Sequence, residues 1–341
     1  MKRIFLLLLV IILVMVFTQE RFEKTSANPI WTYKNIPIWM YYNKNSDVSK
    51  IKKVLFVFHG DARNASDYVS MFSEFADISD YVILCPEFSV NDYPNYNEGN
   101  VISSDGTINP VNTWIFPLIQ EIFDFFKQST GNTSQTFDAW GHSAGAQFLH
   151  RYVMLTNPVN INKIICANAG FYTQVFEQSG KGPLDYPYGI GNVTNYFNLK
   201  SFASKNITIL LGKNDIGIKG SIHGSPQPAP RNESKYQYKT WWSNNDGLWN
   251  SNNIKTLQNW DNNGQNSRNA RGKVFYYGTQ LKSSETPFNW VLKEVKDVGH
   301  DPQNMARASY NILDPNVNKY CISNSPIPCP QPTDKNTKPD V

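Results

Sequence analysis

The chain has 341 residues, of which 40% are hydrophobic, 14% aromatic and 18% charged, a balance that suits a large packed core and excludes a disordered chain. The formal charge is +4. Residues 1–27 hold four basic and two acidic side chains, so the remainder carries +2 and no Lys/Arg cluster of the kind that grips nucleic acid.

Lys2 and Arg3 precede an unbroken apolar run of 14 residues, Ile4–Phe17. The run is short for a membrane span, which takes about 20 residues, and fits the hydrophobic region of a signal peptide. Thr25 and Ala27 are placed for cleavage after position 27, which predicts export to the extracellular space or the periplasm. The alternative is an uncleaved signal anchor, which would keep the chain at a membrane.

From residue 28 onward, apolar β-rich runs alternate with helical patterns. Strands are predicted at Ile36–Tyr42, Val54–Phe58, Tyr81–Cys85, Thr136–Trp140, Lys163–Ala167, Ile207–Leu211 and Trp290–Val295. Helices are predicted at Ser66–Ser79, Val111–Gln128, Ala144–Leu155, Asn269–Lys282 and Pro302–Leu313. Several strands are apolar along their whole length, the pattern of a strand covered on both faces. The alternation predicts one α/β domain, residues 28–315, on a doubly wound, mostly parallel sheet. Two long excursions, Phe171–Lys200 and Ile216–Gln265, follow late strands at their carboxyl ends, where such sheets build substrate sites. Residues 316–341, rich in Pro and polar side chains, read as an extended tail. Cys85 and Cys166 lie in apolar runs and read as buried thiols, whereas Cys321 and Cys329 in the tail are candidates for a local disulfide. No Cys/His spacing suits a metal, and no cofactor is expected.

Chemistry enters at Gly141-His142-Ser143-Ala144-Gly145, which joins a predicted strand to a predicted helix. A G-x-S-x-G turn in that setting exposes its serine on a tight elbow, with helix N-terminal N–H groups near any negative charge that develops. A nucleophilic serine needs a base. Of the five histidines, His142 is inside the elbow, His150 lies two turns down the helix, His59 ends a strand, and His223 is in the long excursion. His300 follows the strand at Trp290–Val295 and precedes the final helix, which is the position of the base in an acid-before-histidine order. Asp215 closes the strand Ile207–Leu211 between serine and histidine and is the favoured acid, with Asp297 and Asp301 as rivals. Gly60 and Asp61, in the turn after Val54–Phe58, join Ala144 as candidate oxyanion donors. Arg63 reads either as a ligand for a substrate carboxylate or as a loop-fixing ion pair. Tyr172, just past a strand end, is the candidate substrate-contacting aromatic, while Trp241, Trp242, Trp249 and Trp260 read first as packing for the second excursion. Arg268 and Arg271, on a predicted helix, read as structural ion-pair residues.

With these residues in place, the chain resembles the secreted poly(3-hydroxyalkanoate) depolymerase-like branch of the α/β hydrolases, near the feruloyl and acetyl-xylan esterase-like members. The matching segments include FHGDARNASDY (58–68), GHSAGAQFLHRY (141–152), NAGFYT (168–173), YPYGI (186–190), LLGKND (210–215), GQNSRNARGKVF (264–275) and VGHDPQNMA (298–306). The resemblance implies an α/β-hydrolase fold, triad roles for Ser143, Asp215 and His300, an oxyanion turn at His59-Gly60-Asp61, and a small or oligomeric ester as substrate. It extends over most of residues 36–313 and includes no separate polymer-binding domain.

Overall fold

The computed structural model describes residues 30–179, 182–215, 268–317 and 332–334. Nine strands form one sheet: β1 (Ile30–Tyr33), β2 (Ile36–Tyr41), β3 (Lys53–Phe58), β4 (Tyr81–Pro86), β5 (Phe137–His142), β6 (Ile161–Ala167), β9 (Ile207–Gly212), β10 (Val291–Val295) and β11 (Pro332–Asp334). Their spatial order is β1-β2-β4-β3-β5-β6-β9-β10-β11. The six strands from β4 to β10 run parallel, and antiparallel strands close both edges. A separate two-stranded ribbon, β7 (Gln178–Ser179) with β8 (Gly182–Pro183), lies in the first excursion.

The parallel strands are apolar throughout because each contributes to two cores. In β3, Phe56 and Phe58 enter one core while Leu55 and Val57 enter the other. In β6, Ile164 and Cys166 alternate with Ile165 and Ala167 in the same way. One face is covered by α3 (Pro117–Thr130), α4 (Ala144–Thr156) and α6 (Arg268–Lys282), through side chains such as Phe123, Phe148 and Phe275. The other is covered by α1 (Ala65–Ser70), α2 (Ser73–Ser79) and α7 (Pro302–Leu313), through Val69, Phe72, Phe75, Met305 and Tyr310. A short helix, α5 (Leu199–Ala203), leads into β9. Burying each of these aromatic and aliphatic side chains contributes roughly 1.5–3 kcal/mol, which is why the layered arrangement persists.

All seven predicted strands are present, and the differences from the sequence reading have local causes. The expected helix over 66–79 is two helices. The Tyr310 hydroxyl donates to the Met71 carbonyl at 2.5 Å, and Phe72 leaves helical geometry (φ −106°, ψ 4°) to pack its ring 5.1 Å from that of Trp140. The expected helix over 111–128 begins instead at Pro117, whose missing N–H suits a first helical position, after a 3-10 turn at Val111–Thr113. β1 was not expected. It pairs with β2 through a two-residue turn, Lys34-Asn35, with both φ values positive (48° and 64°), the geometry that matches strand twist. Residues 332–334, inside the expected tail, pair with β10 as an edge strand begun by Pro332. Cys85 and Cys166 are buried free thiols, while Cys321, Cys329 and the segment 1–27 lie outside the described residues. Among the described residues no helix is long and apolar enough to cross a membrane.

Candidate active site

Ser143 stands between the last residue of β5 and the first of α4, with φ 55° and ψ −116°. That conformation is costly for a residue with a side chain and holds only where the surroundings impose it. Two glycines make it reachable. A Cβ on Gly145 would lie 2.0 Å from the Phe58 carbonyl oxygen, and one on Gly141 would lie 2.4 Å from the Gly145 carbonyl oxygen. The Ser143 amide is anchored by donating to the Ala167 carbonyl on β6 at 3.1 Å.

Asp215 follows β9 and His300 follows β10, so parallel pairing brings both to the same sheet edge as the elbow. Oδ2 of Asp215 lies 2.8 Å from Nδ1 of His300, and Nε2 of His300 lies 3.0 Å from Oγ of Ser143. A carboxylate only accepts hydrogen bonds, so Nδ1 carries the ring proton and Nε2 is left to accept the serine hydroxyl. Asp215 is 2% exposed, and its second oxygen faces Arg268 on α6, 3.3 Å from Nη1. The Asn269 amide also donates to the Asp215 carbonyl at 3.2 Å. Thus α6 holds Asp215 by side chain and backbone. Asp297 has an exposed side chain beside Lys296, and Asp301 caps α7 by accepting the Asn304 amide at 3.1 Å.

One connection had no sequence signal beyond the NAG segment. Asn168 sits just past β6 with φ 47° and is fully buried. Its Oδ1 accepts the Gly212 amide at 2.7 Å, and its Nδ2 donates to the Gly299 carbonyl at 2.9 Å. A single side chain therefore ties the strand end before Asp215 to the residue before His300.

On the other flank, the Gly60 position lies against Ser143: a Cβ there would be 3.8 Å from that of Ser143 and 2.6 Å from the Tyr68 hydroxyl. Burial pushes the pKa of the Tyr68 hydroxyl above its ordinary value. His59 is locked in its neutral form. It donates Nδ1–H to the Gly60 carbonyl (3.0 Å) and accepts the Phe88 amide at Nε2 (3.0 Å), and burial pushes its pKa down to about 4. His150 repeats the pattern, donating to the Ala146 carbonyl (2.8 Å) and accepting the Thr173 amide (3.0 Å), with its pKa driven down first by burial and then by Arg151.

Of the two candidate substrate-contacting residues, Arg63 takes its loop-fixing reading and Tyr172 is buried. Arg63 spends its guanidinium on the carbonyls of Phe88, Tyr93 and Pro94 and lies 4.8 Å above the Tyr96 ring, so it fixes the loop beside the Gly60-Asp61 turn. Tyr172 has no exposed surface; its ring stacks on Phe275 at 4.8 Å. His223 and the four tryptophans of the second excursion lie outside the described residues. Among the described residues no group of His, Cys, Asp or Glu is arranged to hold a metal.

No family model matches the sequence, and no curated protein matches it. Solved structures do. The chain is similar to poly(aspartic acid) hydrolase-1 from Sphingomonas sp. KT-1, at 25% identity and a TM-score of 0.67, covering 85% of this chain and 99% of that one. It is also similar to LpqC, a poly(3-hydroxybutyrate) depolymerase from Bordetella parapertussis, at 22% identity and a TM-score of 0.64, covering 85% and 90%. The chain has the α/β-hydrolase fold. In this chain Ser143 after β5, Asp215 after β9 and His300 after β10 meet at the carboxyl edge of the sheet, in the order Ser, Asp, His along the chain.

Proposed function

We propose that this protein is a serine hydrolase that cleaves carboxylic esters through an acyl-enzyme, with Ser143 as nucleophile, His300 as general base and acid, and Asp215 as the group that orients His300. The observation that carries this reading is the unbroken line from Asp215 Oδ2 to His300 Nδ1 (2.8 Å) and from His300 Nε2 to Ser143 Oγ (3.0 Å).

His300 takes the hydroxyl proton as Ser143 Oγ attacks the ester carbonyl carbon, and the buried Asp215 carboxylate stabilises the imidazolium that forms. The carbonyl oxygen gains the negative charge and is met by the backbone N–H of Ala144 and one from the Gly60-Asp61 turn. The tetrahedral intermediate collapses as the imidazolium protonates the leaving alcohol. Water, deprotonated by His300, then attacks the acyl-serine ester, and the imidazolium returns that proton to Ser143 Oγ as the C–Oγ bond breaks and the acid leaves. No step draws on a cofactor.

The substrates we propose are hydroxyalkanoate oligomers or feruloyl and acetyl esters, met outside the cytoplasm if residues 1–27 act as a signal peptide. Cleavage of an amide by the same residues is the second reading, motivated by the similarity to a poly(aspartic acid) hydrolase. The test is covalent labelling with a fluorophosphonate probe, read by peptide mass spectrometry. It is followed by rates on short p-nitrophenyl esters, feruloyl esters, hydroxybutyrate oligomers and poly(aspartic acid). Label on Ser143 and ester turnover are expected. Folded protein that takes no label on Ser143 overturns the reading.

A further inference from the structure

Two buried polar side chains beside the triad take no part in the chemistry proposed above. His142, the residue before the nucleophile, is 2% exposed, and its ring centroid lies 4.6 Å from that of His300, tilted by 40°. Its ring also stacks with Trp140 at 6.1 Å, so His142 is held by one aromatic ring while it packs on His300. Its Nδ1 is 3.0 Å from the hydroxyl of Tyr68 on α1, and its Nε2 has no hydrogen-bond partner. A buried ring nitrogen without a partner is costly, and an apolar ring would fill the same space without that cost. Tyr68 is itself 4% exposed, and its hydroxyl is the atom on which the Gly60 turn rests.

We propose that Tyr68 and His142 are positioning residues: a stiff strut that spans from the oxyanion turn to the back of His300 and fixes both around Ser143. The inference rests on the serine-hydrolase reading. Its physical basis is that the hydroxyl meets Gly60 at one end and His142 at the other, while the His142 ring limits how far His300 can tilt away from Ser143. The oxyanion donors and the base must be placed together, because proton transfer and charge development occur in one transition state. Neutrality of His142 supports the role. Burial, then His300 and Arg268, hold its pKa well below the ordinary value, so it does not repel the imidazolium that forms on His300.

The test compares Tyr68→Phe, His142→Asn and the double variant of the full-length protein, by kcat and KM on p-nitrophenyl acetate and by the rate of fluorophosphonate labelling. Each single change should lower kcat and the labelling rate about tenfold with KM within about twofold. The double variant should be no worse than the more damaged single, because both changes break one strut. The proposal is overturned if kcat of Tyr68→Phe stays within twofold of wild type, if the loss appears in KM instead, or if the two effects multiply. Should His142→Asn fail to fold, Tyr68→Phe, which removes one oxygen atom, decides alone. Wild-type protein that takes no label on Ser143 defeats the hydrolase reading. Labelled wild type with equally fast labelling of Tyr68→Phe defeats only the strut.

Discussion

Arg268 Nη1 lies 3.3 Å from Oδ1 of Asp215, the carboxylate oxygen that does not face His300. The cation pins the carboxylate by its far side and leaves Oδ2 for the imidazole. Both groups are buried, so removing the cation leaves a charge only partly compensated. Arg268→Met should therefore destabilise the fold by about 3 kcal/mol and lower kcat more than it raises KM. Arg268→Lys, which keeps the charge and loses the planar fork, should fall between. Urea unfolding and ester kinetics on both variants check this; a Met variant with wild-type kcat would show that Arg268 only packs.

Ser143 combines the proposed nucleophile with a strained backbone (φ 55°, ψ −116°). Ser143→Ala should reduce turnover by several orders of magnitude without unfolding the protein. Ser143→Gly should be equally inactive yet more stable than Ser143→Ala by about 1 kcal/mol, since glycine adopts that conformation without strain. Thermal melts of the two variants side by side read the difference. Equal midpoints would mean that the elbow stores no strain.

The Asn168 clasp makes a separate prediction. Asn168→Asp keeps the acceptor for the Gly212 amide but loses the donor to the Gly299 carbonyl and buries a charge. It should lose at least tenfold in kcat and about 2 kcal/mol of stability. Asn168→Ala loses both bonds and should be no better. Retention of full turnover by Asn168→Asp would mean that the loop before His300 is held by its other contacts.

Three buried histidines should make the fold less stable in acid. His59, His142 and His150 are held below their ordinary pKa of 6.5, chiefly by burial. The unfolded chain binds protons near pH 6.5 that the folded chain refuses, so stability is complete above that pH and falls as pH drops through it. For His59 the loss continues down to about pH 4. Each histidine adds up to about 1.4 kcal/mol per pH unit in that window. Urea midpoints from pH 7.5 to 4.5 should decline steadily below 6.5, and less steeply in His150→Gln. A flat profile down to pH 5 would contradict the neutral assignment.

Local chemistry made much of this protein legible from residues alone. Short, β-rich apolar runs alternating with helical patterns point to strands covered on both faces, and a G-x-S-x-G between strand and helix is legible because its two glycines and its turn are neighbours in the chain. Chain order also named Asp215 and His300, since parallel strands bring their ends to one edge. The contacts that hold those groups were decided by the tertiary structure. Asn168 reaches Gly299 across 131 residues, Tyr68 reaches His142 across 74, and Arg268 reaches Asp215 across 53. Such polar contacts follow no period and need no particular neighbour in sequence. The same reason explains Arg63 and Tyr172. Their residue types suit a substrate, but packing turned Arg63 onto three backbone carbonyls and Tyr172 onto Phe275. Burial and partner geometry, which arise only when distant elements dock, determined what those side chains do.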